Sequence, residues 1–227
     1  MPHANSSYRV NHEECALPRC YNQSMEAKLL LLIPWMASVL YSSIPVFWFA
    51  IHPFARSWRR MDRSPYRLLL PLWIAIILLL GWAGWGWHDA RLYSSPWLWA
   101  PAAPLFLFGF KIYAGIRSEF GAHKLTGEAE LRPREHAQEL VTTGLHARMR
   151  HPIYVAHLAN FAAWTIGSGL LVAYVLLAVS LACTFPLMIW LEERELGARF
   201  GASYREYQRA VPLLPNPLAW PAGKRTA

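Results

Sequence analysis

The sequence is poor in cysteine, in charged residues and in metal-binding patterns. Only three of its 227 residues are cysteines, and 16% are charged. No set of cysteines and histidines has the spacing of a zinc site, so we predict no metal centre. Cys15 and Cys20 form a disulfide only if their segment faces an oxidising compartment, and two free thiols are the alternative. Cys183 lies within an apolar run and is expected to be a packing residue.

Long apolar segments, by contrast, make up much of the chain. The composition is 55% hydrophobic, with twelve tryptophans, and apolar runs cover residues 29–51, 68–87, 97–116 and 153–191. A bilayer core of about 30 Å takes about 20 helical residues, so each of the first three runs predicts one span. The fourth run is about twice as long and predicts a helical hairpin that turns between Gly167 and Tyr174, with Pro186 bending its second helix. We therefore predict an all-α integral membrane protein with about five transmembrane helices.

The excess of basic charge indicates topology and not nucleic-acid binding. The formal net charge is +8, but no basic run is interleaved with aromatic residues as in a nucleic-acid groove. Residues 52–67, residues 111–150 and the tail after Leu191 hold 18 of the 22 basic residues. Five spans place all three segments on one side of the membrane. The positive-inside rule makes that side cytoplasmic, so we expect the N-terminus outside and the C-terminus in the cytoplasm.

These features divide the chain into five segments. We predict a polar N-terminal segment at 1–28, three transmembrane spans at 29–116 and a cytoplasmic connection at 117–150. A transmembrane hairpin at 151–191 and a cytoplasmic tail with short helices at 192–227 complete the chain. The N-terminal segment lacks the basic start, short apolar core and cleavage site of a signal peptide, so the run at 29–51 is expected to be a retained span.

Titratable residues gather where the predicted hairpin begins. Arg150 and His151 come directly before Pro152, which suits the first position of a helix because its missing N–H is not needed there. Tyr154 then lies in the first helical turn, whose unpaired amides favour anionic groups. Charged side chains at a membrane boundary are costly unless they meet water, headgroups or a ligand. The sequence therefore predicts that the functional site lies at the start of the hairpin.

An antiparallel hairpin brings its two ends together. Glu192 and Glu193 follow the second hairpin helix, so they are expected beside Arg150, His151 and Tyr154. Adjacent residues on a helix point about 100° apart. We therefore expect one glutamate to face inward and the other to face water or headgroups. Glu192 is favoured as the inward residue because it continues the apolar face of its helix.

A row of large side chains continues from Tyr154 along the first hairpin helix. His157, Phe161 and Trp164 recur at helical spacing, and Asn160 flanks them. Such a face either lines a cavity, which makes these four residues candidate substrate contacts, or forms an aromatic packing stripe.

The order of motifs in the last third of the chain carries a family resemblance. Leu-Val-x-x-Gly stands at 140–144 and Arg-His-Pro-x-Tyr at 150–154; after the hairpin come Glu-Glu at 192–193, Leu196, Phe-Gly at 200–201, Tyr204, Tyr207 and Val-Pro at 211–212. This pattern resembles the isoprenylcysteine carboxyl methyltransferase family and the related integral-membrane phospholipid methyltransferases. The match covers roughly residues 139–215. One departure is Leu145-His146, where relatives often have Pro-Tyr.

The resemblance implies methyl transfer that depends on S-adenosylmethionine, at the cytoplasmic membrane face, to a lipophilic or small acceptor. It implies an arginine for the cofactor carboxylate, a glutamate for its ammonium and an aromatic wall for the adenine or sulfonium. The implied cofactor-binding residues are Arg150, His151, Tyr154, Glu192, Glu193 and Tyr204. No catalytic base is assigned, because a carboxylate or thiolate acceptor needs none.

Two other functions remain open from the sequence. A membrane reductase of the sterol type, which uses NADPH, shares a similar C-terminal arrangement. A non-enzymatic membrane assembly module is the second alternative. Neither the identity of the acceptor nor the oligomeric state follows from the residues.

Overall fold

The computed structural model describes residues 17–125, 131 and 139–215. Its helices are α1 (Leu17–Trp48), α2 (Ala55–Trp58), α3 (Tyr66–Gly84), α4 (Trp99–Leu125), α5 (Pro152–Ser168), α6 (Leu171–Val179), α7 (Phe185–Phe200) and α8 (Ala202–Ala210). An isolated bridge between Arg91 and Leu170 is the only β pairing in these ranges, so they are all-helical as predicted. Cys15 lies outside them, so a disulfide with Cys20 and two free thiols both stay as alternatives.

Within the described residues, four helical segments are long and apolar enough to cross a membrane. They are Leu29–Trp58, Tyr66–Trp87, Pro96–Ser118 and Leu171–Phe200. Their outer faces carry large apolar side chains, such as Leu78 and Trp82, which are 66% and 78% exposed. This pattern is that of an integral membrane protein. Helix α5 has 17 residues and is not among the four, so the five-span count and a hairpin that crosses the membrane stay predictions.

Helices α4 and α5 approach each other closely, which fixes the position of α5. A methyl group on Gly109 of α4 would lie 2.4 Å from the amide nitrogen of Asn160 on α5. Near the other end of α5, a methyl group on Gly167 would lie 2.3 Å from the Trp99 ring. Small residues allow membrane helices this close approach. The candidate site at the start of α5 is therefore held by the packing of α5 against α4.

The turn after α5 lies inside the predicted interval. Helix α5 ends at Ser168, and Gly169 has a φ of +68°, a left-handed conformation that favours glycine. The turn pairs with the loop before α4, because the Leu92 amide donates to the Gly169 carbonyl at 2.8 Å and the Leu171 amide donates to the Ala90 carbonyl at 2.9 Å. These two connections therefore share one end of the molecule, and His151 lies at the opposite end of α5.

The helix after this turn is interrupted before it reaches the candidate site. Ser180–Thr184 form one π-helical turn between α6 and α7. Pro186, at the start of α7, has no N–H to donate to the preceding turn. The predicted irregularity at Pro186 is therefore confirmed, and it takes the form of a widened turn.

Candidate active site

His151 occupies the position directly before helix α5. Pro152 begins that helix, and His151 is its N-cap residue, with a φ of −126° that leaves it outside the helix. The imidazole is buried, with 4% of the side chain exposed. Its ring stacks on that of Tyr154, with 5.4 Å between ring centroids and an angle of 8° between the planes. The predicted positions of these residues at the helix start are confirmed.

Both glutamates at positions 192 and 193 turn towards this imidazole. Nδ1 of His151 lies 3.2 Å from Oε2 of Glu192 in an ion pair, and Nε2 hydrogen-bonds to Oε1 of Glu193 at 3.2 Å. Their side chains are 21% and 17% exposed. The expectation that only one of the pair faces inward is therefore wrong. An imidazole has a nitrogen on each of two edges, so one ring can reach two carboxylates that leave the helix about 100° apart.

The charge of His151 follows from these neighbours. Burial alone lowers the pKa of a histidine, because it disfavours the charged form. The Glu192 and Glu193 carboxylates outweigh burial here and raise the pKa of His151 to about 9. The imidazole is therefore protonated at neutral pH and carries an N–H on both edges.

Arg150 and Gln208 complete the surroundings of Glu193. Nη1 of Arg150 lies 3.0 Å from Oε1 of Glu193, and the Gln208 amide donates to Oε2 at 2.9 Å. The sequence interpretation missed Gln208. The only available signal was its position four residues after Tyr204, on the same helical face.

The Tyr204 hydroxyl is buried beside these charges without an acceptor. Tyr204 is 1% exposed, and its hydroxyl has no hydrogen-bond partner among the described residues. Burial, followed by the charges of Glu193 and Glu192, raises the pKa of Tyr204 above its ordinary range, so the hydroxyl keeps its proton. The Nε of Arg150 is a second buried donor that lacks a partner in this part of the chain. Buried donors without acceptors cost free energy, so both point to a ligand that accepts hydrogen bonds.

The remaining motif residues hold the C-terminal helix against the loop before α5. An apolar cluster contains most of the motif positions: Leu140, Leu196, Phe200, Tyr204, Tyr207 and Val211. The Tyr207 hydroxyl donates to the His146 carbonyl at 2.8 Å, and the Arg150 amide donates to the Pro212 carbonyl at 3.0 Å. These motif residues therefore position Arg150. Their contacts explain why the two halves of the motif occur together.

Two of the four candidate substrate residues contact helix α1. The nitrogen Nδ1 of His157 hydrogen-bonds to the Tyr113 hydroxyl of α4, and its ring lies edge-on to that of Tyr41, with centroids 5.9 Å apart. Phe161 is fully buried and stacks on Tyr41 at 6.0 Å. His157 also lies 6.5 Å from Tyr154 between ring centroids, so it adjoins the cofactor candidates.

The other two candidates pack on helix α4. Asn160 is fully buried, and its amide donates to the Ala156 carbonyl at 3.0 Å. Trp164 lies edge-on to Trp99 and Phe106, with centroid distances of 5.8 and 5.1 Å. Ten residues of helix separate Trp164 from Tyr154, a distance of roughly 15 Å. The structure thus brings together the six cofactor candidates and spreads the four substrate candidates along the interior of the helix packing.

Comparison with known proteins adds a second line of evidence. Residues 100–203, from the start of α4 into α8, match the family model described as phospholipid methyltransferase. The chain is similar to this family. The resemblance predicted from the motifs is therefore confirmed, and the match reaches further upstream than the motifs did.

Two curated relatives carry methyltransferase names. The chain is 28% identical over 179 residues to methanethiol S-methyltransferase 2 of Bradyrhizobium diazoefficiens, which covers 71% of this chain and 64% of that protein. It is 38% identical over 77 residues to protein-S-isoprenylcysteine O-methyltransferase of Schizosaccharomyces pombe, which covers 32% of this chain and 31% of that protein. The chain thus spans less than two thirds of the length of either relative. No solved structure gives a significant match.

Proposed function

We propose that this protein is an integral-membrane methyltransferase that uses S-adenosylmethionine to methylate a lipophilic or small acceptor. The family match and the methyltransferase names of both relatives support this activity. We further propose that the site opens at the cytoplasmic end of the membrane helices, as the distribution of basic residues indicates.

Two buried donors of the site, the Tyr204 hydroxyl and the Arg150 Nε, carry this proposal, because neither has an acceptor within residues 17–125, 131 and 139–215. They lie beside the carboxylates of Glu192 and Glu193. The methionine part of S-adenosylmethionine has one carboxylate and one ammonium. Such a ligand satisfies the donors with its carboxylate and the glutamates with its ammonium. The residues therefore fit this cofactor.

Each side chain has a role that its chemistry suits. Arg150 binds the cofactor carboxylate with a planar, charged group. Glu192 and Glu193 bind the ammonium, and His151, which bridges them, keeps both carboxylates in position. Tyr154, stacked on His151, offers an aromatic face to the adenine or the sulfonium.

When bound, S-adenosylmethionine would supply an electrophilic methyl group for transfer to the acceptor. The protein's contribution is alignment and the exclusion of water, because a thiolate or carboxylate acceptor needs no strong base. His157 adjoins Tyr154, about one turn further along α5. We propose that the acceptor approaches from His157, with Asn160, Phe161 and Trp164 forming the interior wall behind it.

Calorimetric titration of the purified protein with S-adenosylmethionine and with NADPH tests the proposal. We expect binding of S-adenosylmethionine and none of NADPH; the reverse result supports a reductase, and no binding of either supports an assembly module. His151→Ala removes a buried polar contact, so affinity should fall roughly 10- to 100-fold. His88→Ala, at the opposite end of the molecule, is the control and should leave affinity unchanged.

Transfer of a radioactive methyl group from S-adenosylmethionine then identifies the acceptor class. A short alkyl thiol, a prenylated cysteine and phosphatidylethanolamine represent the sulfur, carboxyl and amine acceptors. We expect product with at least one of them in the wild type, and a large loss of product with His151→Ala. Tight cofactor binding without transfer to any acceptor would contradict the proposed activity.

A further inference from the structure

Helix α7 has a second polar face, opposite the one that forms the candidate active site. Glu193 and the apolar residues Leu196 and Phe200 lie on the first face. Leu191, Arg194, Glu195 and Ala198 recur at spacings of three and four, so they share the other face. This second face borders a cavity of about 410 Å³. The proposed function does not use this cavity.

Four arginines from two separate parts of the chain line the cavity. Arg56 lies in the short helix α2 and Arg59 directly follows it, whereas Arg194 and Arg199 lie in the second half of α7. His52 lies at the same cavity, stacked on Trp48 with 4.9 Å between ring centroids. The polar lining residues are His52, Arg56, Arg59, Arg194, Glu195 and Arg199.

The single carboxylate in this lining leaves positive charge in excess. Glu195 forms ion pairs with Arg59 and with Arg199, the latter at 3.1 Å, and its side chain is only 9% exposed. Two arginines thus share one carboxylate and are held in place by it. Arg56 and Arg194 form no ion pair with any described carboxylate, although Arg194 lies over the Trp190 ring at 5.6 Å. The net positive charge of the lining therefore favours the binding of an anion.

The surroundings of the cavity are those of a membrane interface. It lies between the ends of two segments apolar enough to cross a bilayer, Leu29–Trp58 and Leu171–Phe200. Phe54, next to the lining residues Pro53 and Ala55, is 56% exposed, and Trp190 is 55% exposed. An anion with an apolar tail satisfies both the arginines and this apolar rim. A soluble anion satisfies the arginines alone.

We propose that this arginine cavity binds the phosphate of an anionic phospholipid headgroup, with the acyl chains lying along the exposed faces of α1 and α7. Arginine matches phosphate oxygens with two parallel N–H donors, and basic cavities between membrane helices suit lipid headgroups. The charges of Glu192 and His151 reach His52 of the lining, so the cavity adjoins the candidate active site. The bound lipid would therefore hold α7 and α2 together beside the cofactor site.

The test measures lipid binding to the full-length protein in detergent by native mass spectrometry. The probes are short-chain phosphatidylglycerol, short-chain phosphatidylcholine and inorganic phosphate. We expect one phosphatidylglycerol per protein, bound on the order of tenfold more tightly than either other probe. Arg56→Gln with Arg194→Gln should reduce phosphatidylglycerol affinity on the order of tenfold. Neither substitution leaves Glu195 unpaired.

A matched double variant controls for general surface charge. Arg60→Gln with Arg63→Gln removes the same charge from exposed residues of the same region that do not line the cavity, and we expect it to leave lipid affinity unchanged. Single Arg194→Gln, which should still weaken phosphatidylglycerol binding, serves if the double cavity variant unfolds. Equal losses in the cavity and control variants, or equal affinity for phosphatidylcholine, would overturn the proposal. If inorganic phosphate bound as tightly as phosphatidylglycerol, the assignment of a lipid ligand would be overturned, and the cavity would be a site for a free anion.

Discussion

Raising the pH should destabilise this protein through His151. The pKa of His151 is raised to about 9 by the two neighbouring carboxylates, despite burial. A folded-state pKa above the unfolded value means that the contribution to stability is complete below about pH 6.5 and is lost as the pH rises through 9. When the imidazole becomes neutral, Glu192 and Glu193 lose the positive charge that lies between them.

The size of the effect follows from the difference in pKa. A rise from the ordinary value near 6.5 to about 9 corresponds to about 3 kcal/mol of folding free energy, most of it lost between pH 7 and pH 10. For a chain of this length, such a loss lowers the midpoint of thermal unfolding by roughly 5–10 °C. Other groups also titrate in this range, so the quantity to measure is the difference between wild type and His151→Gln.

Thermal unfolding in detergent, followed by the tryptophan fluorescence, measures this difference. The wild-type midpoint should fall between pH 7 and pH 10 by roughly 5–10 °C more than that of His151→Gln. His88→Gln, the matched histidine control, should behave like the wild type. A carbon-13 NMR titration of labelled histidine should give a resonance with a midpoint near pH 9 that is missing from His151→Gln. Identical pH dependence in wild type and His151→Gln, or a midpoint near 6.5, would refute the reasoning.

Two further predictions concern packing and topology. Gly109→Ala places a methyl group against the Asn160 amide and should lower stability by about 1–3 kcal/mol. Gly86→Ala meets no atom within 4 Å and should unfold at nearly the wild-type temperature; equal effects would contradict the close approach of α4 and α5. In a cysteine-free background, a membrane-impermeant thiol reagent should label Ser6→Cys but not Thr226→Cys in intact cells. The opposite pattern would contradict the predicted orientation.

Local signals in the sequence predicted the start of the site well. The proline at position 152 predicted where α5 begins, because the residue before it is driven out of the helical conformation, and His151 is indeed the N-cap residue. Motif order predicted the family resemblance for a different reason. The residues of the motif are the side chains that pack helix α8 against the loop before α5, so they have to occur together.

Contacts between distant segments escaped the sequence interpretation. Periodicity assigned Glu192 and Glu193 to different faces, but it did not include the shape of their common partner. A single imidazole with two N–H edges holds both. Gln208 was missed because an amide in an exposed helical pattern carries no signal until the residue that it contacts, Glu193, is known.

The sequence by itself determined the helical class, the apolar segments and the point where the polar site begins, because hydrophobic length and proline geometry act within a few turns of chain. Tertiary structure alone decided which side chains share an interior. It brought α2 to the far side of α7, where arginines about 140 residues apart along the chain line one cavity. It also buried the Tyr204 hydroxyl beside Arg150 with no acceptor among the residues that the structure describes. These outcomes depend on where several helices pack at once, which no local pattern encodes.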